Sequence, residues 1–217
     1  VFGDPGADRI DGGAGVDQLD YGRSPSGVTV DLAAGFGLGG DAEGDAIEGI
    51  ENVVGSDFAD EITGDSTDNR VFARDGDDTV RGGAGTDRIK GGGGDDHLLG
   101  GGGDDWFDGG PGGDTLDGGA GIDVVSYESA AAPVSVDLGG NAASGGDAAG
   151  DSFTSVENLV GTGFGDSLAG DGADNRFWGM GGNDTLAGGG GTDRIRGGEG
   201  RDTIRGEVGD DWLEGGS

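Results

Sequence analysis

Between residues 82 and 126 a single apolar side chain recurs every nine residues in a chain otherwise rich in glycine and polar groups: Ile89, Leu98, Phe107, Leu116 and Val125. The residues between them are as regular. GGAGTDRIK, GGGGDDHLL, GGGGDDWFD, GGPGGDTLD and GGAGIDVVS follow one another without a gap, with glycine at places 1, 2 and 4, Asp at place 6 and the apolar residue at place 8. Glycine loses much backbone entropy in regular structure and readily takes positive φ, so the first six residues of a unit predict a turn. The last three predict a very short strand, place 8 facing in and places 7 and 9 facing out. Turn and strand reverse the chain, and the next unit brings it back. Two units then make one lap of about 18 residues, and laps stack into two facing parallel sheets. The predicted fold class is all-β, a right-handed parallel β-roll or β-solenoid.

So little apolar surface per strand asks for another source of support. On each edge the turn of one unit lies over the turn two units later, which sets Asp87 near Asp105 and Asp96 near Asp114. Stacked carboxylates repel unless a cation lies between them. Glycine-rich turns also leave carbonyl oxygens free, and carboxylates with carbonyls make a hard, all-oxygen cage that suits Ca²⁺. Mg²⁺ asks for stricter octahedral geometry, and zinc for His or Cys, of which the chain has one and none. The candidate ligands are Asp8, Asp17, Asp60, Asp78, Asp87, Asp96, Asp105, Asp114, Asp123, Asp166, Asp184, Asp193, Asp202 and Asp211. The backbone carbonyls of Gly83, Gly85, Gly92, Gly94, Gly101, Gly103, Gly110, Gly112, Gly119, Gly121, Gly189, Gly191, Gly198 and Gly200 accompany them.

The nonapeptide G-G-x-G-x-D-x-U-x resembles the repeat of the RTX family, the hemolysin-type calcium-binding repeats. The resemblance implies a parallel β-roll with Ca²⁺ between its turns. It also implies secretion from a bacterium by the one-step type I route, with folding only in external calcium.

The remaining residues carry the same period with interruptions. GDPGADRID (3–11) and GGAGVDQLD (12–20) end a preceding block, and residues 21–54 break the period. Within the break Val28–Leu32 alternates as a strand, residues 33–45 read as a surface excursion, and residues 47–54 read as a second strand-like stretch. Nonapeptides resume over residues 55–126, at first degenerate. Phe58 and Thr67 replace the place-4 glycine and Asn69 the place-6 Asp, so sites built on these turns are expected to be weak or empty. Tyr21 and Tyr127 stand 106 residues apart, and at that offset Glu51-Asn52 meets Glu157-Asn158 and Trp106 meets Trp212 with no gap. The chain is therefore two copies of one module, 21–126 and 127–217. The second copy has its own interruption (127–160) and nonapeptides (161–214), with Phe164, Ala173 and Asn175 at the degenerate places. Both ends fall in mid-unit, as expected of a segment of a longer protein.

Composition narrows the classes. The 217 residues include 58 glycines and no cysteine, carry a formal net charge of −32 and are 31% hydrophobic. High charge with low hydrophobicity describes a disordered chain; with this periodicity we expect disorder without metal and order with it. So acidic a chain does not suit nucleic acid, no apolar run is long enough to span a membrane, and no signal peptide is visible. The G-x-G-x-x-G at residues 35–40 has no amphipathic helix after it and is a chance match. His97 faces outward alone. The neighbours Asp77-Asp78 and Asp104-Asp105 fit the repeat rather than an acid/base pair, and no catalytic residue or enzyme activity is expected within this segment.

One outward strip departs from the acidic pattern. Places 7 and 9 in alternate units give Arg70 and Phe72, Arg88 and Lys90, Trp106 and Asp108, and in the second copy Arg176 and Trp178, Arg194 and Arg196, Trp212 and Glu214. These side chains suit a cation–π ladder covering the sheet. Arg88, Lys90, Trp106, Arg194, Arg196 and Trp212 equally suit a strip for an acidic polysaccharide, with indoles stacked on sugar faces and Arg paired with carboxylates. The first functional expectation is Ca²⁺-dependent folding and structural support. The second is a glycan-binding module beside a secreted enzyme such as an alginate epimerase or protease, and a third is a segment of an adhesin. Each strip is expected to be local to its copy.

Overall fold

A computed structural model describes residues 1–217. Its regular structure is 24 short strands and two single-turn 3-10 helices, Gly40–Ala42 and Gly146–Ala148. Strands of adjacent laps pair in parallel at the 18-residue offset, with Ile89 opposite Phe107 and Leu98 opposite Leu116. Ten such strands, from Gln18–Asp20 to Trp212–Gly216, make one unbroken sheet that runs through both copies. It crosses each interruption without loss of register, Leu19 facing Val53 and Val125 facing Leu159.

The opposite wall is less uniform. Nine strands form one sheet up to Ser152–Thr154, and five more form another. The interruptions cause this. In the first, residues 33–45 are not a free excursion. Phe36–Leu38 pairs antiparallel with Thr29–Asp31 and with Ala46, joining the hairpin into the sheet. Residues 47–54 are likewise two strands, Ala46–Glu48 and Asn52–Val54, in opposite walls. The turn between them passes through Gly49 at φ 63°. In the second interruption Ala142–Ser144 pairs with Ser135–Asp137 but not with Ser152–Thr154. There the Phe153 N–H donates to the Asn141 side chain (2.7 Å), where the first copy has Ile47 N–H donating to the Gly35 carbonyl (2.9 Å).

Between the walls lies one column of place-8 side chains. Ile89, Leu98, Phe107, Leu116 and Val125 are all buried, joined by Tyr21 and Tyr127 from the interruptions. Each contributes about 1.5–3 kcal/mol by leaving water. One such side chain per nine residues is a thin core, and the edges of the roll are made of turns.

Candidate metal centre

Each regular turn sets its place-6 Asp under the turn of the next lap. The Asp87 N–H donates to Asp105 Oδ1 (2.8 Å), the Asp96 N–H to Asp114 Oδ1 (2.9 Å) and the Asp105 N–H to Asp123 Oδ1 (2.8 Å). One oxygen of every carboxylate is thereby held. The other is not. The Oδ2 atoms of Asp78, Asp87, Asp96, Asp105, Asp114, Asp123, Asp184, Asp193 and Asp202 are buried and meet no donor from the protein. Burying an ionised carboxylate without a partner is expensive, and nine in one small roll mark a missing charge of opposite sign.

The place-1 glycines show which other oxygens lie beside these carboxylates. A Cβ on Gly100 would collide with Asp105 Oδ2 and lie 2.7 Å from the Gly118 carbonyl oxygen. On Gly82 it would collide with Asp87 Oδ2 and lie 2.8 Å from the Gly100 carbonyl oxygen. Carboxylate and carbonyl oxygens therefore converge beside place 1, which is glycine in every nonapeptide after residue 54 except the one that opens with Ala73. These carbonyls belong to place 1, whereas the sequence pointed to places 2 and 4. Gly83, Gly85, Gly101 and Gly103 also supply the positive φ, from 106° to 123°, that turns the chain, and the Gly83 and Gly85 carbonyls point at the same places of the next lap, Gly101 and Gly103.

Electrostatics say the same. Burial pushes the carboxyls of Asp78, Asp87, Asp105, Asp123 and Asp184 up from 3.8 to about 6, and that of Asp96 to about 7. Asp114, also facing Asp151 and Asp96, reaches about 8. Without a cation these groups resist ionisation.

The other expected ligands are placed differently. Asp211 accepts the Asp193 N–H at the last turn (3.0 Å). Asp8 is exposed, and its N–H donates to Asp45 Oδ1 (2.9 Å); the Asp17 N–H donates to Glu51 Oε2 (2.8 Å). Asp60 and Asp166 are hydrogen-bonded differently from the regular turns. Both oxygens of Asp60 accept from Ser56, and both of Asp166 from Thr162, so neither carries an oxygen without a protein donor. The interruptions contribute acids that the nine-residue period hides. Asp45 and Asp151, Glu51 and Glu157 take the place-6 role in the column. Their signal was the 106-residue offset, which pairs each with its counterpart.

Nowhere do three acidic or histidine side chains converge, and His97 is exposed. Each cradle is a few carboxylate oxygens completed by carbonyls, a donor set that fits a hard cation and not zinc. A family model described as the RTX calcium-binding nonapeptide repeat (4 copies) matches residues 1–23, 46–80, 54–89, 90–125, 160–195 and 187–217. The chain belongs to this family. The RTX matches leave out residues 24–45 and 126–159, most of each interruption. The family implies Ca²⁺, and the free Oδ2 atoms with the place-1 carbonyls are the groups that would hold it.

The outward strip is in one row. Arg88 sits between Arg70 and Trp106 in register, and Arg194 between Arg176 and Trp212. The rows are not local to each copy, because the ten-stranded sheet links Trp106 through Val124 and Asn158 to Arg176. Arg88 lies 5.2 Å from the Trp106 ring centroid and Arg194 5.8 Å from that of Trp212. Lys90 pairs with Asp108 (2.8 Å) and Arg196 with Glu214 (3.7 Å).

Proposed function

We propose that this RTX segment folds on binding Ca²⁺ and gives structural support within a secreted bacterial protein, exported by the type I route. The observation that carries the reading is the set of nine buried carboxylate oxygens without a protein donor. Binding at sites absent from the unfolded chain becomes folding free energy. A chain of net charge −32 would stay unfolded where calcium is scarce and fold where it is plentiful. The segment acts as a structural calcium-binding unit. Circular dichroism tests this. In chelator the spectrum should be that of a disordered chain, and millimolar Ca²⁺ should bring a strand spectrum. A strand spectrum unchanged by chelator would overturn the reading.

The single row of Arg and Trp favours a second role, binding of an acidic polysaccharide on the ten-stranded sheet. Trp106→Ala with Trp212→Ala should then abolish the calorimetric heat of binding to an acidic glycan at fixed calcium. Equal affinity in the double variant, or no heat from the wild type, would leave the row as a cation–π cover.

A further inference from the structure

The turns are of two kinds that differ in one peptide. In units whose Asp keeps a free Oδ2, place 2 has positive φ: 116° at Gly83, 124° at Gly92 and 101° at Gly189. Two such units hold this conformation without glycine, at Arg74 (91°) and Met180 (73°). Side chains rarely adopt it, so the turn imposes it. The peptide between places 1 and 2 then sends the place-1 carbonyl oxygen toward the place-6 side chain of the lap before, as Gly100 does for Asp87 and Ala73 for Asp60, so the carbonyl is common to both kinds of turn and the place-2 N–H is what differs.

The units starting at Gly55, Gly64, Gly161 and Gly170 are different. Their place-2 residues, Ser56, Asp65, Thr162 and Asp171, do not have positive φ. The N–H of each donates to its own place-6 side chain: Ser56 to Asp60 Oδ2 (2.6 Å), Asp65 to Asn69 Oδ1 (2.8 Å), Thr162 to Asp166 Oδ2 (2.6 Å) and Asp171 to Asn175 Oδ1 (3.0 Å). Hydroxyls complete two of them, Ser56 Oγ on Asp60 Oδ1 (2.8 Å) and Thr162 Oγ1 on Asp166 Oδ1 (2.9 Å). Amides complete the others, Asn69 Nδ2 donating to the Glu51 carbonyl (3.0 Å) and Asn175 Nδ2 to that of Glu157 (2.8 Å). Just ahead in the chain the Tyr21 hydroxyl donates to Asp45 Oδ2 (2.6 Å) and the Tyr127 hydroxyl to Asp151 Oδ2 (2.7 Å). At each interruption, then, the oxygen that elsewhere lacks a partner faces a proton supplied by the protein.

We propose that the orientation of this peptide sorts the turns into calcium-binding and self-sealed. Residues 21–72 and 127–178 are calcium-free seams, and they separate two calcium blocks, residues 73–126 and 179–217. The inference rests on the calcium-binding reading above and adds which turns refuse the ion. It also relocates the cause from the place-4 glycine to place 2.

Anomalous diffraction from crystals of the calcium-loaded chain tests it directly. Ions should lie beside Asp87, Asp96, Asp105 and Asp193, with none beside Asp60, Asn69, Asp166 or Asn175. An ion on Asp60 or Asp166 would overturn the sorting. Ions at neither kind of turn would overturn the calcium reading itself, and the sorting with it. In solution, Thr162→Gly removes the hydroxyl and permits positive φ, so calorimetry should count one more Ca²⁺ than in the wild type; an unchanged count would refute the switch. Should that variant not fold, Asp166→Asn decides. A wild-type ion count supports a sealed turn and a lower count overturns it, with Asp193→Asn as the control that must lose an ion.

Discussion

At the scale of the residue, a turn depends on the Oδ2 of place 6, the peptide at place 2 and the room left beside place 1, which is glycine in every nonapeptide after residue 54 except the one that opens with Ala73. Gly100→Ala places a methyl group against Asp105 Oδ2 and 2.7 Å from the Gly118 carbonyl oxygen. It should cost one Ca²⁺ per chain by calorimetry and lower the denaturation midpoint. Gly102→Ala is its control. Nothing lies within 4 Å of that Cβ, its φ is not positive, and Ala84 and Ala120 already occupy the same place. Its stability should stay within about 0.5 kcal/mol of wild type. A loss as large from Gly102→Ala as from Gly100→Ala would mean that glycine serves only backbone entropy here. Tyr127 offers the opposite case, a proton in place of a cation. Its phenol is buried against Asp151 and the hydroxyl holds well above its ordinary pKa, through burial first and the Asp151 charge second. Tyr127→Phe leaves Asp151 Oδ2 without a donor, which costs about 1–3 kcal/mol. Urea denaturation at saturating calcium should show that loss, and no change in the ion count.

At the scale of the element, a strand of this roll is a single inward side chain between two outward ones, stacked on its counterparts a lap away. Leu98 touches the column in register with Val80 and Leu116. Leu98→Ala should destabilise the calcium-loaded roll by about 2–5 kcal/mol. Leu213 has the same place in its unit but is 46% exposed at the last strand, so Leu213→Ala should cost less than half as much; equal losses would deny that stacking supplies the burial. This layer was the most legible in the sequence, because a nine-residue period with one apolar place leaves few other ways to bury Ile89 or Phe107. The acids were legible as well, as a column awaiting a cation. What stayed hidden is whatever depends on a peptide's orientation or a long-range partner. Nothing local in FGL announces that Phe36–Leu38 joins a sheet, since its pairing rests on Thr29–Asp31 and Ala46. Ser56 and Thr162 read as small departures from glycine, yet their hydroxyls close a turn. Tyr21 was visible as one half of a repeat, but its bond to Asp45 spans 24 residues that carry no period.

At the scale of the whole molecule, one ten-stranded sheet binds both copies into a continuous roll, and its stability depends on how buried acid is neutralised. A proton can do for the metal-free chain part of what Ca²⁺ does for the loaded one. Folding raises the carboxyl pKa of Asp78, Asp87, Asp105 and Asp184 from 3.8 to about 6, that of Asp96 to about 7 and that of Asp114 to about 8, through burial first. A group raised in this way favours the fold below its unfolded value and loses that contribution as pH climbs through its folded value. This contribution to the metal-free roll is therefore complete only below about pH 4, where these acids become protonated in both states, and it weakens steadily toward pH 8. The net charge of −32 acts in the same direction, because acid removes much of its self-repulsion. Calcium reverses the trend, since its ligands must be ionised to bind it. Circular dichroism of the chain stripped of metal should show more strand at about pH 4.5 than at about pH 7.5. In millimolar Ca²⁺ the strand signal at the higher pH should be restored in full. A stripped chain whose strand content is flat, or falls on acidification, would show that repulsion among the stacked Asp residues is not what keeps it unfolded.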